Sequence, residues 1–287
     1  MAVSDRASAP SSESSFDLAY SFDDYNSSPH CDNAYLERRL KQVMLNEGEA
    51  GHGRTLDVAC GVANLVAGIS ENGSEGWGLE PSPEMLGIAR WLHPNSDVLL
   101  VHGVAEMLPF RDESFDRLIC KGALDHFVDP YAFMEQAVRC VRADGRVIIA
   151  IGNYESLSCR LGRLWAGLAR AVRRRSAPAQ RPYWEPPPDH LHRGDLGFVR
   201  GLGGKALRLE RCYGVSLMWL FLGWGPSLDR LPGWLANAVL VALDKSAYRM
   251  PGLADVIVSV WEPVPLPAEA AIGHAEPVEA SDRYAIP

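Results

Sequence analysis

The chain has 287 residues, of which 47% are hydrophobic and 22% charged, with 28 Lys and Arg against 36 Asp and Glu. These proportions are typical of a soluble globular protein and exclude a wholly disordered chain or a fibrous repeat. The formal net charge of −8 argues against general affinity for nucleic acid, which needs a basic surface. The six cysteines are scattered and include no CxxC pair, so neither a structural zinc site nor a disulfide framework is expected. With no signal-like or membrane-length apolar segment, we expect a reduced, cytoplasmic protein.

Short apolar runs alternate with helical patterns in the first half of the chain. The predicted strands are 55–59, 76–79, 97–101, 115–120 and 146–151. The predicted helices are 35–44, 65–69, 83–91 and 131–141. Strands that are apolar throughout, with helices between them, are typical of a parallel sheet buried on both faces.

The pattern changes after residue 153. The predicted elements are a helix over 157–175, a Pro-rich connector over 176–188, a helix over 195–202, a strand over 206–213, an apolar Trp-rich helical insert over 215–248 and a last strand over 254–261. The whole pattern predicts an α/β fold with a doubly wound, seven-stranded, mostly parallel sheet.

One motif carries the functional interpretation. The segment 56–61, Leu-Asp-Val-Ala-Cys-Gly, stands where the first strand ends and a helix begins. Ligands of open parallel sheets bind beyond the carboxyl ends of the strands. Gly61 permits close backbone approach there, and Asp57 adds a carboxylate. Glu80 ends the second strand, where an acidic residue can accept both hydroxyls of a ribose.

Four ordered segments resemble class I S-adenosylmethionine-dependent methyltransferases of the methyltransferase type 11 kind. They are 56–61, 80–85, 103–116 and 139–146, and the resemblance covers residues 53–152. It implies a Rossmann-like fold whose last strand is antiparallel and is preceded by an inserted helical lid. It also implies S-adenosyl-L-methionine as cofactor and methylation of a small molecule. Together with the polar, Ser-rich start and the Pro-, Ala- and Glu-rich end of the chain, it suggests four parts. They are a disordered or lid-like N-terminal segment (1–30), a cofactor-binding core (31–153), a helical lid and acceptor region with the last two strands (154–262), and a disordered tail (263–287).

The resemblance implies ten cofactor-binding residues: Asp57, Ala59, Cys60, Gly61, Glu80, Pro81, Met85, Ala105, Glu106 and Lys121. Asp57 would lie near the methionine amino group, and Glu80 would take the ribose hydroxyls. The family usually has Gly where Ala63 stands, so we expect Ala63 to keep a negative φ. The family often has Asp where Val104 stands; here Glu106 or a backbone carbonyl would have to accept the adenine amino group.

The sequence gives fewer signals for the residues that would bind the methyl acceptor. We predict His126 as a general base, because an imidazole titrates near neutrality, and Asp125 as the residue that orients it. His126 could instead only cap or pack its loop. Tyr154, His190, His192 and Trp219 are the predicted substrate-binding residues. The spacing of His190 and His192 could suggest a metal, but no third ligand is evident, so no metal is predicted.

The aromatic residues of the insert favour a small, apolar acceptor, such as a lipid, isoprenoid, quinone or polyketide-like product of secondary metabolism. The same insert could simply be an extra core layer. Seven arginines between residues 160 and 181 suggest a weak peripheral membrane contact, although a solvated helix face explains them too. O-methylation is slightly favoured over C- or N-methylation, but only because it is the more common reaction. Two alternatives stay open: non-methylating chemistry on this fold, such as a cyclase or decarboxylase, and a non-catalytic binding or scaffold protein. The sequence leaves the oligomeric state open.

Overall fold

The computed structural model describes residues 30–49, 53–173, 181–204 and 206–264. The predicted N-terminal segment and tail lie outside these ranges, apart from residues 30, 263 and 264. The arginines at 174 and 175 also lie outside them.

Seven strands form one sheet in the order β3–β2–β1–β4–β5–β7–β6. The strands are β1 (Arg54–Val58), β2 (Glu75–Glu80), β3 (Leu99–His102), β4 (Phe115–Lys121), β5 (Val141–Gly152), β6 (Leu207–Val215) and β7 (Val256–Pro263). The first five strands pair in parallel, whereas β7 runs antiparallel to both β5 and β6. The predicted Rossmann-like fold with an antiparallel last strand is therefore confirmed.

The helices are α1 (Cys31–Gly48), α2 (Asn64–Glu71), α3 (Pro83–Leu92), α4 (Pro130–Cys140), α5 (Leu157–Arg173), α6 (Leu196–Gly201), α7 (Trp224–Leu228) and α8 (Gly233–Arg249), with a 3₁₀ turn at Leu124–His126. Capping chemistry explains two of their starts. The Ser82 hydroxyl accepts a hydrogen bond from the Met85 N–H ahead of α3, and Asp129 accepts from Tyr131 N–H and Ala132 N–H ahead of α4. Both helices also begin with proline, whose fixed φ suits the first turn.

Both faces of the sheet are buried, as the apolar strands predict. Along β4 and β5, Leu118 and Ile149 belong to a core that includes Phe133 of α4, whereas Ile119 and Ile148 face the opposite way. That second core also holds side chains of α1 and α2. Two filled faces fix the register of each strand, because a one-residue slip would exchange the two sets of side chains.

The predicted helical insert packs beside the sheet. Leu228 of α7 and Leu240 of α8 form a small core with Tyr35 of α1. Asp244 of α8 accepts the Ser216 N–H at the end of β6 and pairs with Arg39 of α1 at 2.8 Å. These contacts fit the alternative of an extra core layer; a role for this segment over the acceptor stays a prediction.

Helix α5 exposes part of its apolar stripe. Leu164 and Trp165 are each 60% exposed and Leu168 is 55% exposed, while Cys159 is buried. Within the described ranges, none of the helices combines the length and the hydrophobicity needed to cross a membrane.

Candidate cofactor and acceptor site

The loop after β1 holds three residues in the left-handed conformation. They are Ala59 (φ 56°), Gly61 (φ 55°) and Ala63 (φ 62°). The expectation of a negative φ at Ala63 is therefore wrong. The reason is that Ala63 ends a tight turn, in which its N–H donates to the Cys60 carbonyl, and begins α2, where its carbonyl accepts from the Ala67 N–H. An alanine in this region costs roughly 1–2 kcal/mol, so the packing around the loop must hold it there.

Glu80 is tied to this loop. One carboxylate oxygen accepts the Gly61 N–H at 2.9 Å, and the other accepts the Ser82 N–H at 3.0 Å. An ionised carboxylate offers about four acceptor positions, so two remain for incoming hydroxyls. The two backbone bonds fix the side chain at the end of β2, which is where a ribose diol would be bound.

Asp57 is a second buried carboxylate at the same edge. Burial raises its pKa to about 7; Lys121, the last residue of β4, opposes the rise, and the neighbouring Glu80 adds to it. Burial also raises the pKa of the Cys60 thiol, with Asp57 and Glu80 contributing. Cys60 therefore stays protonated, and its place next to Gly78 is a packing role.

The residues predicted around the adenine lie along the same edge. The Pro81 carbonyl is 2.9 Å from His102 Nε2, and Met85 stands over Gly61, with its methyl carbon 3.8 Å from where a β-carbon would be. Ala105 is buried. One oxygen of Glu106 accepts the Val128 N–H at 2.9 Å and the Asp129 N–H at 3.4 Å.

This edge suits a cationic nucleoside cofactor. Two buried carboxylates, Asp57 and Glu80, end adjacent strands and would face positive charge and hydroxyls. Gly61 suits this loop because it adopts a φ of 55° without the strain that a side chain would add. S-Adenosylmethionine offers an ammonium, a sulfonium and a ribose diol, so the residues present fit it.

On the acceptor side, the structure pairs Asp125 with His190. Asp125 Oδ2 lies 2.7 Å from His190 Nδ1, and both side chains are nearly buried. The role of Asp125 in orienting His126 stays a prediction; the ring nitrogen that its carboxylate contacts is that of His190, while His126 Nδ1 lies by Asp189. The backbone reinforces the pairing: the Asp125 carbonyl accepts the Leu191 N–H at 2.8 Å and the His192 N–H at 3.1 Å.

His126 still lies beside this pair. Its ring meets the His190 ring edge-on, with the centroids 4.4 Å apart. Its Nδ1 lies 3.2 Å from the Asp189 carbonyl and 3.5 Å from the Asp189 carboxylate. The Tyr154 hydroxyl is 3.0 Å from His190 Nδ1. The structure thus brings together Asp125, His126, Tyr154 and His190.

Two other predicted substrate-binding residues lie in different surroundings. The His192 ring stacks on Phe198, next to the main core, and its Nε2 is buried with no hydrogen-bond partner among the described residues. The Trp219 indole donates to Asn33 Oδ1 at 3.1 Å, and its backbone N–H donates to Asp255 at 2.9 Å.

Sequence reasoning missed several polar residues at this edge. Asp255 is buried before β7; burial raises its pKa to about 7, against hydrogen bonds from the Trp219 N–H and two serines. Asn33 and Asp255 stand in stretches with no motif. Asp189 could have been found, since it directly precedes the two histidines already singled out.

Comparison with known proteins identifies relatives of the central part of the chain. Residues 56–149 match the family described as methyltransferase domain. The chain is 29% identical over 137 residues to the uncharacterized methyltransferase YcgJ of Bacillus subtilis, covering 43% of this chain and 54% of that protein. It is 36% identical over 93 residues to the demethylmenaquinone methyltransferase of Chlorobaculum tepidum, covering 32% and 38%. It is 28% identical over 118 residues to a ubiquinone biosynthesis O-methyltransferase of Xanthomonas oryzae, covering 40% and 49%. The chain thus spans about half the length, or less, of these curated relatives.

Solved structures extend the likeness to the fold. The YcgJ structure covers 80% of this chain and 100% of its own, with a TM-score of 0.51 and 17% identity. The PH0226 protein of Pyrococcus horikoshii covers 88% and 100%, with a TM-score of 0.52 and 18% identity. Residues 56–149 therefore form a methyltransferase domain that resembles those of the class I S-adenosylmethionine-dependent methyltransferases.

Proposed function

We propose that the protein binds S-adenosyl-L-methionine at the ends of β1, β2 and β4 and methylates a small molecule. The observation that carries the proposal is the cradle of Glu80, Gly61 and Asp57, in which two buried carboxylates flank a glycine loop. When bound, this cofactor supplies an activated methyl group, so the protein mainly has to position the acceptor.

Each side chain of the cradle has a distinct task. Glu80 is held by two backbone N–H groups and accepts the ribose hydroxyls. Asp57 accepts the methionine ammonium, which favours its ionised form. Ala59, Cys60 and Gly61 line the methionine moiety, with Lys121 beside it. Pro81, Met85 and Ala105 flank the adenine. The second oxygen of Glu106 remains for the adenine edge, since the first is held by Val128.

The acceptor binds against the polar group of Asp125, His126, Tyr154 and His190. Groups that hold or remove a proton suit an acceptor that loses one, so we favour transfer to a hydroxyl oxygen. Within the group, Asp125 fixes the His190 ring, and His126 is the more exposed imidazole. Of the relatives named above, two carry quinone-related names, which supports an apolar aromatic acceptor. His192 and Trp219 would support the walls of the acceptor region.

A direct assay tests the proposal. The protein is incubated with S-adenosylmethionine and a panel of small hydroxylated aromatics that includes quinols, and S-adenosylhomocysteine is measured along with the methylated product. We expect product with at least one acceptor, and much less with Glu80→Gln. Cofactor binding without S-adenosylhomocysteine across the panel would favour non-methylating chemistry. No cofactor binding at all would favour a scaffold protein.

A further inference from the structure

Three side chains with metal-binding atoms converge beside the acceptor region. Asp125, His126 and His190 each offer one such atom, and all three atoms lie within 4.8 Å of one another. Two come from the 3₁₀ turn after β4, and the third comes from a connection 64 residues further along. Among the described residues, this is the group in which histidine and carboxylate ligands meet in this way.

The carboxylate of Asp125 has one oxygen whose hydrogen-bonding capacity is unused. Its side chain is only 5% exposed, and while Oδ2 faces His190, Oδ1 is buried with no hydrogen-bond partner in the described part of the chain. A buried carboxylate oxygen without a partner is unfavourable, because it has lost its water without gaining a hydrogen bond. A bound cation would remove that cost, because both oxygens would then face positive charge.

His126 is held in the way that metal-binding histidines usually are. Its Nδ1 lies by the carbonyl and the carboxylate of Asp189, at 3.2 Å and 3.5 Å. With Nδ1 donating its proton to Asp189, the lone pair of Nε2 is left available as a ligand. The ring is 41% exposed, so an ion can approach it from solvent.

We propose that Asp125, His126 and His190 bind one divalent transition-metal cation. Two imidazoles and a carboxylate suit zinc, cobalt or iron better than magnesium, which prefers oxygen ligands. Three protein ligands leave an open position, as in catalytic metal sites. His190 and His192 suggested a metal by their spacing, but His192 stacks on Phe198, and the missing ligands come from the 3₁₀ turn instead.

The Tyr154 hydroxyl lies 3.0 Å from His190 Nδ1, so the open position of the ion would be close to this predicted acceptor-binding residue. There the cation would hold an acceptor oxygen and favour its deprotonated form. This use rests on the proposed methyl transfer and narrows the acceptor to a hydroxyl compound. Metal binding itself does not depend on that reaction.

The test is titration of the metal-free full chain, without an affinity tag, with zinc or cobalt chloride by calorimetry and by the cobalt absorption spectrum. We expect one site per chain and a cobalt spectrum without thiolate absorption. His126→Asn and Asp125→Asn should each weaken binding at least tenfold. His93→Asn is the matched control, because this exposed histidine lies at the end of α3 beside Asn64, and it should bind like the wild type.

The outcomes separate this inference from the proposed function. Absence of a one-to-one site, or equal affinity in wild type and His126→Asn, would overturn it. Circular dichroism and thermal unfolding of the metal-free variants show whether Asp125→Asn is folded, and His126→Asn changes an exposed side chain that can be replaced with little risk. S-Adenosylmethionine binding is measured separately on the metal-free protein, so loss of cofactor binding refutes the proposed function alone.

Discussion

We expect the buried Asp57 carboxylate to make the proposed cofactor binding depend on pH. Its pKa is raised to about 7 in the free protein, mainly by burial. A pKa of about 7 in place of 3.8 corresponds to roughly 4 kcal/mol disfavouring the anion. Because the cofactor's ammonium favours that anion, binding must release the proton that Asp57 holds at low pH.

The size of the effect follows from this pKa. At pH 6 about 90% of Asp57 is protonated, and at pH 8 only about 10% is, so affinity should fall about tenfold between pH 8 and pH 6. Calorimetry in buffers of different ionisation enthalpy should show release of about one proton at pH 6. Asp57→Asn is the control: it should bind about tenfold or more weakly at pH 8, and only the cofactor's own titration should remain in its pH dependence.

The stability of the free protein should change with pH in the opposite direction from the cofactor affinity. Since the folded state holds the Asp57 proton more tightly than the unfolded state, this residue's contribution falls as the pH rises from about 4 through about 7. Asp57→Asn should therefore unfold at a higher temperature than the wild type at pH 8. The reasoning would be refuted if the cofactor affinity of the wild type changed between pH 6 and pH 8 no more than that of Asp57→Asn.

Other predictions concern stability and surface contacts. Ala63→Val should lower the free energy of unfolding by about 2 kcal/mol, because a β-branched residue is strained at a φ of 62°. Ala63→Gly should change it by no more than about 1 kcal/mol, because the relief of strain is offset by the lost methyl group. Urea unfolding measures both, and a stable valine variant would contradict the loop conformation. Asn153→Ala should cost about 1–3 kcal/mol, because the buried amide donates to the Ala254 carbonyl and accepts the Glu155 N–H; an unchanged urea midpoint would contradict this. If α5 contacts membranes, the protein should float with anionic vesicles in a density gradient. Trp165→Glu should abolish flotation, whereas the control Trp91→Glu, on the exposed side of α3, should not. Wild-type protein that stays at the bottom of the gradient would refute the contact.

The sheet was predictable because its strands are nearly continuous apolar runs between turn residues. The start of β5 was not predictable, because residues 141–145 look like a turn in the sequence. In the structure Val141 pairs with Phe115 of β4, and the register of the two strands shifts between Phe115 and Arg117. The insert of 215–248 contains α7 and α8 as separate helices, with Pro232 at the N-terminal cap of the second. Hydrophobicity alone does not mark that break.

The meeting of Asp57 and Glu80 at one edge of the sheet was predictable, because both stand near the ends of adjacent parallel strands. The acceptor side was not, because Asp125 and His190 are 65 residues apart and meet only through the connection before α6. Nothing local distinguishes His190, which joins Asp125, from His192, which joins the core. The positive φ of Ala63 was also hidden, since alanine ordinarily avoids that conformation.

The central claim is that Glu80 anchors a nucleoside cofactor at the end of β2. Calorimetric titration of the wild type, Glu80→Gln and Glu84→Gln with S-adenosylmethionine tests it most directly. Glu84 is the matched control, an exposed carboxylate in the first turn of α3. We predict saturable binding by the wild type and Glu84→Gln, and a loss of about 1–3 kcal/mol in Glu80→Gln, or roughly 5- to 150-fold in affinity. No binding by the wild type, or equal binding by Glu80→Gln in its folded form, would contradict the account.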